Sequence, residues 1–136
     1  MTHLAYVLAS ADDEATKAQL YQFADMPEVG YCYVEKPPSG SLKALERPRF
    51  GVLYGFLRRG DTLIVPTLEH LGSSVAEFAE IFRTLKRKGV NVVSMRESFD
   101  LSSETGEVAF ELFTTLVDLE ATIRGTGQVV DRNPNP

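Results

Sequence analysis

The chain has 136 residues, 43% of them hydrophobic, enough to bury the core of one domain and too many for a disordered chain. Fourteen basic and 19 acidic residues leave a formal charge of −5, which opposes a general nucleic-acid surface. A single cysteine excludes an intrachain disulfide and fits a reducing compartment, and the lack of any apolar run near the ~18 residues of a membrane span, or of a leader in MTHLAYVLAS, predicts a soluble cytoplasmic protein.

The apolar run LAYVLAS (4–10) predicts a buried first strand. DDEATKAQLYQFADM follows, with early acids suited to a helix N-terminus, a rough apolar face of Ala15, Ala18, Leu20, Tyr21 and Phe23, and Pro27 to end it. VGYCYVEK is aromatic and β-branched and reads as a second strand, with Cys32 as a buried structural thiol. PPSGSLKALERP is a loop by its breakers. RPRFGVLYGFLRRG predicts a helix with Pro48 in its first turn and Gly60 at its end. Asp61 opens a third strand, DTLIVPTL, which leaves the sheet near Pro66 because proline cannot donate to a ladder.

SSVAEFAEIFRTLKRKG is the clearest helix. Ser73 or Ser74 caps it, Val75, Phe78, Ala79, Phe82 and Leu85 form one stripe, and Gly89 stops it. Arg83, Lys86, Arg87 and Lys88 crowd its last turns, where the helix dipole favours cations without any need for a nucleic-acid patch. VNVVSM is a fourth strand and RESFDLSSETG a polar loop. The last helix, over 106–124, is apolar on more than one face and predicts a partner surface as well as a core surface. Gly125 and Gly127 end it, leaving 126–136 as a flexible tail. Strands alternating with helices predict an α/β fold in one domain over 1–125: a mostly parallel, four- to five-stranded sheet flanked by helices, with a long C-terminal helix.

In such a sheet, ligands bind at the carboxyl ends of the strands. Three polar groups fall there: Ser10, Asp12 and Asp13; Glu35 with the loop after it; and Glu69, His70, Ser73 and Ser74. An acidic Mg²⁺ pocket on Asp12 and Asp13 lacks a third acid at the end of strand three. A Ser–His hydrolase using Ser10 or Ser73 with His70 lacks the nucleophile-elbow glycines. The histidines, His3 and His70, belong to no group with metal-ligand spacing, so no metal is expected.

One set of pieces occurs in a specific order: YVLAS (6–10), Gln19, EKPPSG (35–40), ERPRF (46–50), RRGDTLIV (58–65), LEHLG (68–72), RKGVNVVSM (87–95) and SSETGEVAF (102–110). Over about Leu4 to Glu120 this order resembles the catalytic domain of serine recombinases, the resolvase/invertase family. The resemblance implies attack by a serine on a DNA phosphodiester, a covalent phosphoserine link, and strand exchange by subunit rotation in a tetramer. It implies no cofactor, because the bond energy stays in the phosphoserine. By position Ser10 matches the nucleophile and Arg47 an active-site arginine. Gln19, Glu35, Ser39 and Gly40 match supporting positions of the family pattern.

The departures decide the expectation. Where the family reads Tyr-x-Arg-x-Ser, this chain has Leu8 in the arginine's place; where it reads Leu-Asp-Arg-Leu-Gly-Arg, Glu69 keeps the acid while His70 and Ser73 replace arginines. Late in the last helix the family's Glu-Arg becomes Glu120-Ala121. Without a metal, guanidinium groups must hold the charge that builds on the phosphoryl oxygens. One such donor is typically worth on the order of 3 kcal/mol of barrier, so losing three slows the step by many powers of ten. The chain also carries no segment that reads as a helix-turn-helix domain. We therefore expect a degenerate domain that no longer cuts DNA and acts as a binding or regulatory protein, forming a homodimer or higher oligomer through the 106–124 helix. The alternative is a minimal recombinase using Ser10 and Arg47, with DNA as partner and targeting supplied elsewhere. A third reading keeps Arg47 and the adjoining loops as an anion or small-ligand site.

Overall fold

In the computed structural model the chain runs β1 (His3–Leu8), α1 (Asp13–Ala24), β2 (Val29–Glu35), α2 (Pro48–Phe56), β3 (Thr62–Val65), α3 (Val75–Lys88), β4 (Asn91–Ser94), β5 (Phe99–Asp100) and α4 (Glu104–Arg132), with short 3₁₀ turns at Ala44–Glu46 and Leu68–His70. The structure describes residues 2–36 and 41–132, and the side chains among them up to residue 125. The strands form one sheet in the order β2-β1-β3-β4-β5. The first four are parallel, and β5 pairs antiparallel with β4. This is the expected mostly parallel α/β sheet.

Strand alternation divides β1 between two cores. Leu4 and Tyr6 face a large core with Leu63, Val65 and Val92, covered by Phe50, Leu53 and Leu57 from the α2 segment and by Phe82 and Leu85 of α3. Ala5 and Val7 face a smaller core with Ile64 and with Phe23 and Leu20 of α1. In the large core Phe82 stacks on Phe99 at 5.1 Å and meets Phe113 of α4 at 6.0 Å. Burying a side chain of this size contributes roughly 2–3 kcal/mol. Among the described residues no helix is long and apolar enough to cross a membrane.

The local chemistry of α3 is as its sequence predicts. Ser74 Oγ accepts from the Glu77 amide at 3.2 Å, and Gly89 takes a left-handed φ of 80° at the C-cap.

Four expectations are corrected. Helix α2 stops at Phe56 rather than Gly60, because Leu57 turns extended and buries its side chain completely. Cys32 is exposed, because β2 is the terminal strand and its middle is left uncovered. The loop after β4 contains β5. Helix α4 passes through Gly125 and Gly127 to Arg132, so the break expected at Gly125 is absent there. An isolated glycine costs a helix about 1 kcal/mol relative to alanine, which does not stop a helix already nucleated over many turns.

Candidate active-site cleft

The parallel strands β1 and β3 lie side by side and end at the same rim of the sheet. A shallow cleft of about 230 Å³ opens there, lined by Leu8, Ser10, Ala15, Gln19, Glu69 and His70. Five of the positions singled out in the sequence thus converge: Leu8, Ser10, Gln19, Glu69 and His70. None of the six lining residues carries a positive charge at neutral pH, and Glu69 is an acid.

Ser10 is exposed, and its hydroxyl belongs to the turn that starts α1. Oγ donates to the Asp12 carbonyl at 2.9 Å and accepts from the Asp12 amide at 3.1 Å. Asp12 in turn caps α1, its Oδ1 accepting from the Glu14 and Ala15 amides. Among the described residues no side-chain base is hydrogen-bonded to Ser10 Oγ.

His70 is buried, and its ring is committed to the backbone. Nδ1 accepts the Leu8 amide at 2.7 Å, so the proton of the neutral ring sits on Nε2. Burial pushes its pKa below the ordinary imidazole value; Glu69 and Glu97 pull it upward and Arg47 pushes it further down. Neutral and hydrogen-bonded in this way, His70 does not replace the charge of an arginine.

Arg47 is not among the residues that line the cleft; it sits at the N-cap of α2 and is 2% exposed. Its Nε donates to the Leu42 carbonyl at 3.0 Å; its Nη1 donates to the His70 carbonyl at 2.6 Å and to the Tyr6 hydroxyl at 3.3 Å. Tyr6 in turn donates to Glu35 Oε1 at 3.1 Å. Glu35 is also buried, and its two oxygens accept the Phe50 and Arg49 amides at 2.9 and 3.1 Å, the free donors at the start of α2. Burial raises the Tyr6 pKa, against the opposing pull of Arg47. Arg47, Tyr6 and Glu35 therefore form an internal clasp joining β1, β2, α2 and the turn after β3.

Ser73 is exposed and points to its own helix. Its amide and Oγ donate to the two oxygens of Glu77, each at 3.3 Å. Ser39 and Gly40 lie outside the described residues. Sequence reasoning placed Tyr6 in a motif without giving it a role, and it missed Glu97. The role of Tyr6 could have been found from strand alternation, since it shares a face with Glu35 on the neighbouring strand. Glu97 accepts from the Leu68 amide at 3.3 Å and from Ser94 Oγ, holding the turn that carries Glu69 and His70; a lone acid in a polar loop gave no signal. Among the described residues no three His, Cys, Asp or Glu side chains are placed to share a metal.

The family model "Resolvase, N terminal domain" matches residues 5–129 of this chain. A DNA-invertase of Escherichia phage P1 is 29% identical over 117 residues, covering 86% of this chain and 61% of that protein. The serine recombinase gin of Escherichia phage Mu is 34% identical over 64 residues, covering 47% of this chain and 33% of its own length. The chain thus spans less than two-thirds of the length of these curated relatives. Among solved structures, the N-terminal catalytic domain of TP901-1 integrase superposes with a TM-score of 0.72 at 20% identity, covering 90% of this chain and 98% of that one. A resolvase family site-specific recombinase from Streptococcus pneumoniae superposes with a TM-score of 0.67 at 14% identity, covering 97% and 98%.

Proposed function

The chain belongs to the resolvase family through its N-terminal domain, and from that premise we propose that it is a serine-recombinase domain that no longer cuts DNA and serves as a dimerising binding or regulatory protein. The observation that carries this reading is the cleft beside Ser10, which no guanidinium among the described residues lines. A phosphodiester entering it meets the neutral Leu8 and His70 and the acid Glu69. The arginine kept from the family pattern, Arg47, is buried and has three of its five donors, on Nε and Nη1, engaged with two backbone carbonyls and a tyrosine. A metal-free phosphoryl transfer needs fixed positive charge at the developing oxyanion, and this hollow supplies none.

The binding half of the proposal rests on α4. Val108, Leu112, Leu116, Leu119 and Ile123 make one stripe at helical spacing, each between 38% and 64% exposed. The opposite face, with Ala109, Phe110 and Phe113, packs on the large core. A second copy laid along the stripe removes that apolar surface from water.

A second reading keeps the chemistry. Ser10 is exposed and shares its cleft with Gln19, and a phage P1 relative is a DNA-invertase; partner subunits or another protein then bring the arginines. The two readings separate on supercoiled plasmid DNA. The chain is incubated with it and quenched in detergent, with the phage P1 invertase and its own substrate alongside as positive control. We expect no covalent protein–DNA adduct. An adduct that disappears in Ser10→Ala overturns the inactive reading and establishes the second.

A further inference from the structure

The end of the sheet opposite the cleft carries a different surface. Among the described residues, strand β2 pairs on one side alone, with β1. Its stretch Gly30-Tyr31-Cys32-Tyr33-Val34 contains no charge and no proline, and residues 30–32 are exposed. Edge strands are normally blunted by lysine, proline, a bulge or a covering element, because their outward amides and carbonyls invite another strand. Here the irregularity is confined to the start of the strand, where the register with β1 shifts at Gly30.

Tyr31 and Tyr33 fall on the same face as Leu4 and Tyr6. With Leu4 and with Phe56 from the end of α2 they line an open cleft of about 550 Å³, whose lining also includes Arg58 and Arg59. Tyr31 is 67% and Phe56 61% exposed, an aromatic surface of a size that marks contact sites. The acid on this lining, Asp61, is occupied: Oδ1 accepts the Thr2 amide at 2.9 Å and Oδ2 the Arg58 amide at 2.7 Å. Arg59 makes no ion pair or hydrogen bond among the described residues, and Arg58 donates to the carbonyls of Gly55 and Leu57 rather than to a carboxylate side chain. Lys88 lies near enough for the Arg58 charge to help depress its pKa, after burial. In a chain of net charge −5, this corner is locally cationic.

We propose that the free edge of β2 is a docking site for an extended, acidic segment of another protein. The segment adds as a sixth strand along residues 30–34, its backbone satisfying the outward groups of β2. Alternate side chains drop into the cleft between Tyr31, Tyr33 and Phe56, and a carboxylate reaches Arg58 and Arg59. A second copy of this chain fits less well. The acid that β2 of a second copy would bring is Glu35, and that carboxylate is buried and held by Tyr6, Arg49 and Phe50. Single-stranded nucleic acid could stack on the rings, but it leaves the backbone groups of the edge without strand partners.

The test selects phage-displayed random heptapeptides on the full chain, then titrates the best synthetic peptide by fluorescence anisotropy, with the oligonucleotide dT12 titrated in parallel. Selected peptides are expected to alternate apolar residues and to end in Asp or Glu. Their binding is expected to shift the amide resonances of residues 30–34, and to weaken at least about tenfold in Arg59→Glu and in Tyr31→Ala. Both positions are exposed, and unchanged thermal unfolding of the variants shows that the fold is kept. Four results overturn the proposal: no peptide is selected; the selected peptides show no acidic preference; dT12 binds the same amides more tightly than any peptide; or Tyr31→Lys splits an oligomer of the chain, which assigns the edge to a second copy.

Discussion

The Leu8 amide donates to His70 Nδ1 at 2.7 Å, tying the end of β1 to the turn after β3. The same hydrogen bond ties the stability of the fold to pH. Protonating the ring turns Nδ1 into a donor facing another donor, and burial already holds the pKa below its ordinary 6.5. The unfolded chain therefore binds this proton more readily than the folded one. Stability is fully present above about pH 6.5 and declines as the pH falls from there toward the lower folded value. The charges of Glu69, Glu97 and Arg47 act on the ring, and their effects are contained in that net direction. Urea unfolding between pH 7.5 and 5.5 should show the decline. His70→Asn, which offers Oδ1 as an acceptor that does not titrate in this range, should flatten it; an equal slope in the variant shows that another group is responsible.

Arg47 is predicted to matter for stability. Arg47→Met leaves the Leu42 and His70 carbonyls and the Tyr6 hydroxyl without their buried donor, a loss of about 3 kcal/mol. Arg47→Lys keeps a charge but cannot span three acceptors from one planar group, so it should fall between wild type and Arg47→Met. Denaturant midpoints at unchanged m-value measure both. A change below about 0.5 kcal/mol for Arg47→Met means that the clasp contributes little.

The sequence read well where structure is fixed by short-range chemistry. Ser74 and Gly89 bound α3 because a cap and a left-handed stop act over three or four residues. The mostly parallel sheet followed from the alternation of strands and helices, and Leu8, Ser10, Gln19, Glu69 and His70 converge because the ends of adjacent parallel strands meet. What was not legible depends on partners distant in the chain. A motif position says where Arg47 sits but not that its donors turn to the carbonyls of Leu42 and His70. Leu57 ends α2 because the large core takes its side chain, which overrides the nearby Gly60 as a stop signal. Cys32 has the surroundings of a buried strand residue, and only the sheet order reveals that its strand is an edge.

Two glycines give opposite predictions. A Cβ on Gly106 meets the Asp100 carbonyl oxygen at 1.8 Å, where the first turn of α4 crosses the end of β5. No rotamer relieves a backbone contact, so Gly106→Ala should cost at least about 3 kcal/mol or prevent folding. At Gly125, on α4, the same atom meets nothing within 4 Å. Gly125→Ala should stabilise the helix by about 0.5–1 kcal/mol, visible as increased helical circular dichroism. Equal effects at the two sites contradict the geometry.

The partner surface of α4 is tested by a choice of residue that the structure makes possible. Phe113 stands 6.2 Å from Phe78 and 6.0 Å from Phe82, ring to ring, so a charge there damages the core and any loss of association is ambiguous. Leu112 and Leu116 are 53% and 38% exposed on the outer stripe. Leu112→Asp and Leu116→Asp should leave the monomer's thermal unfolding within about 0.5 kcal/mol of wild type, as surface changes do, while placing two like charges in the seam of a symmetric pair. Sedimentation velocity is expected to show a dimer or larger species for the wild type and a monomer for each variant. A wild type already monomeric at tens of micromolar, or variants of unchanged mass, removes α4 as the contact between copies and leaves its stripe to another partner.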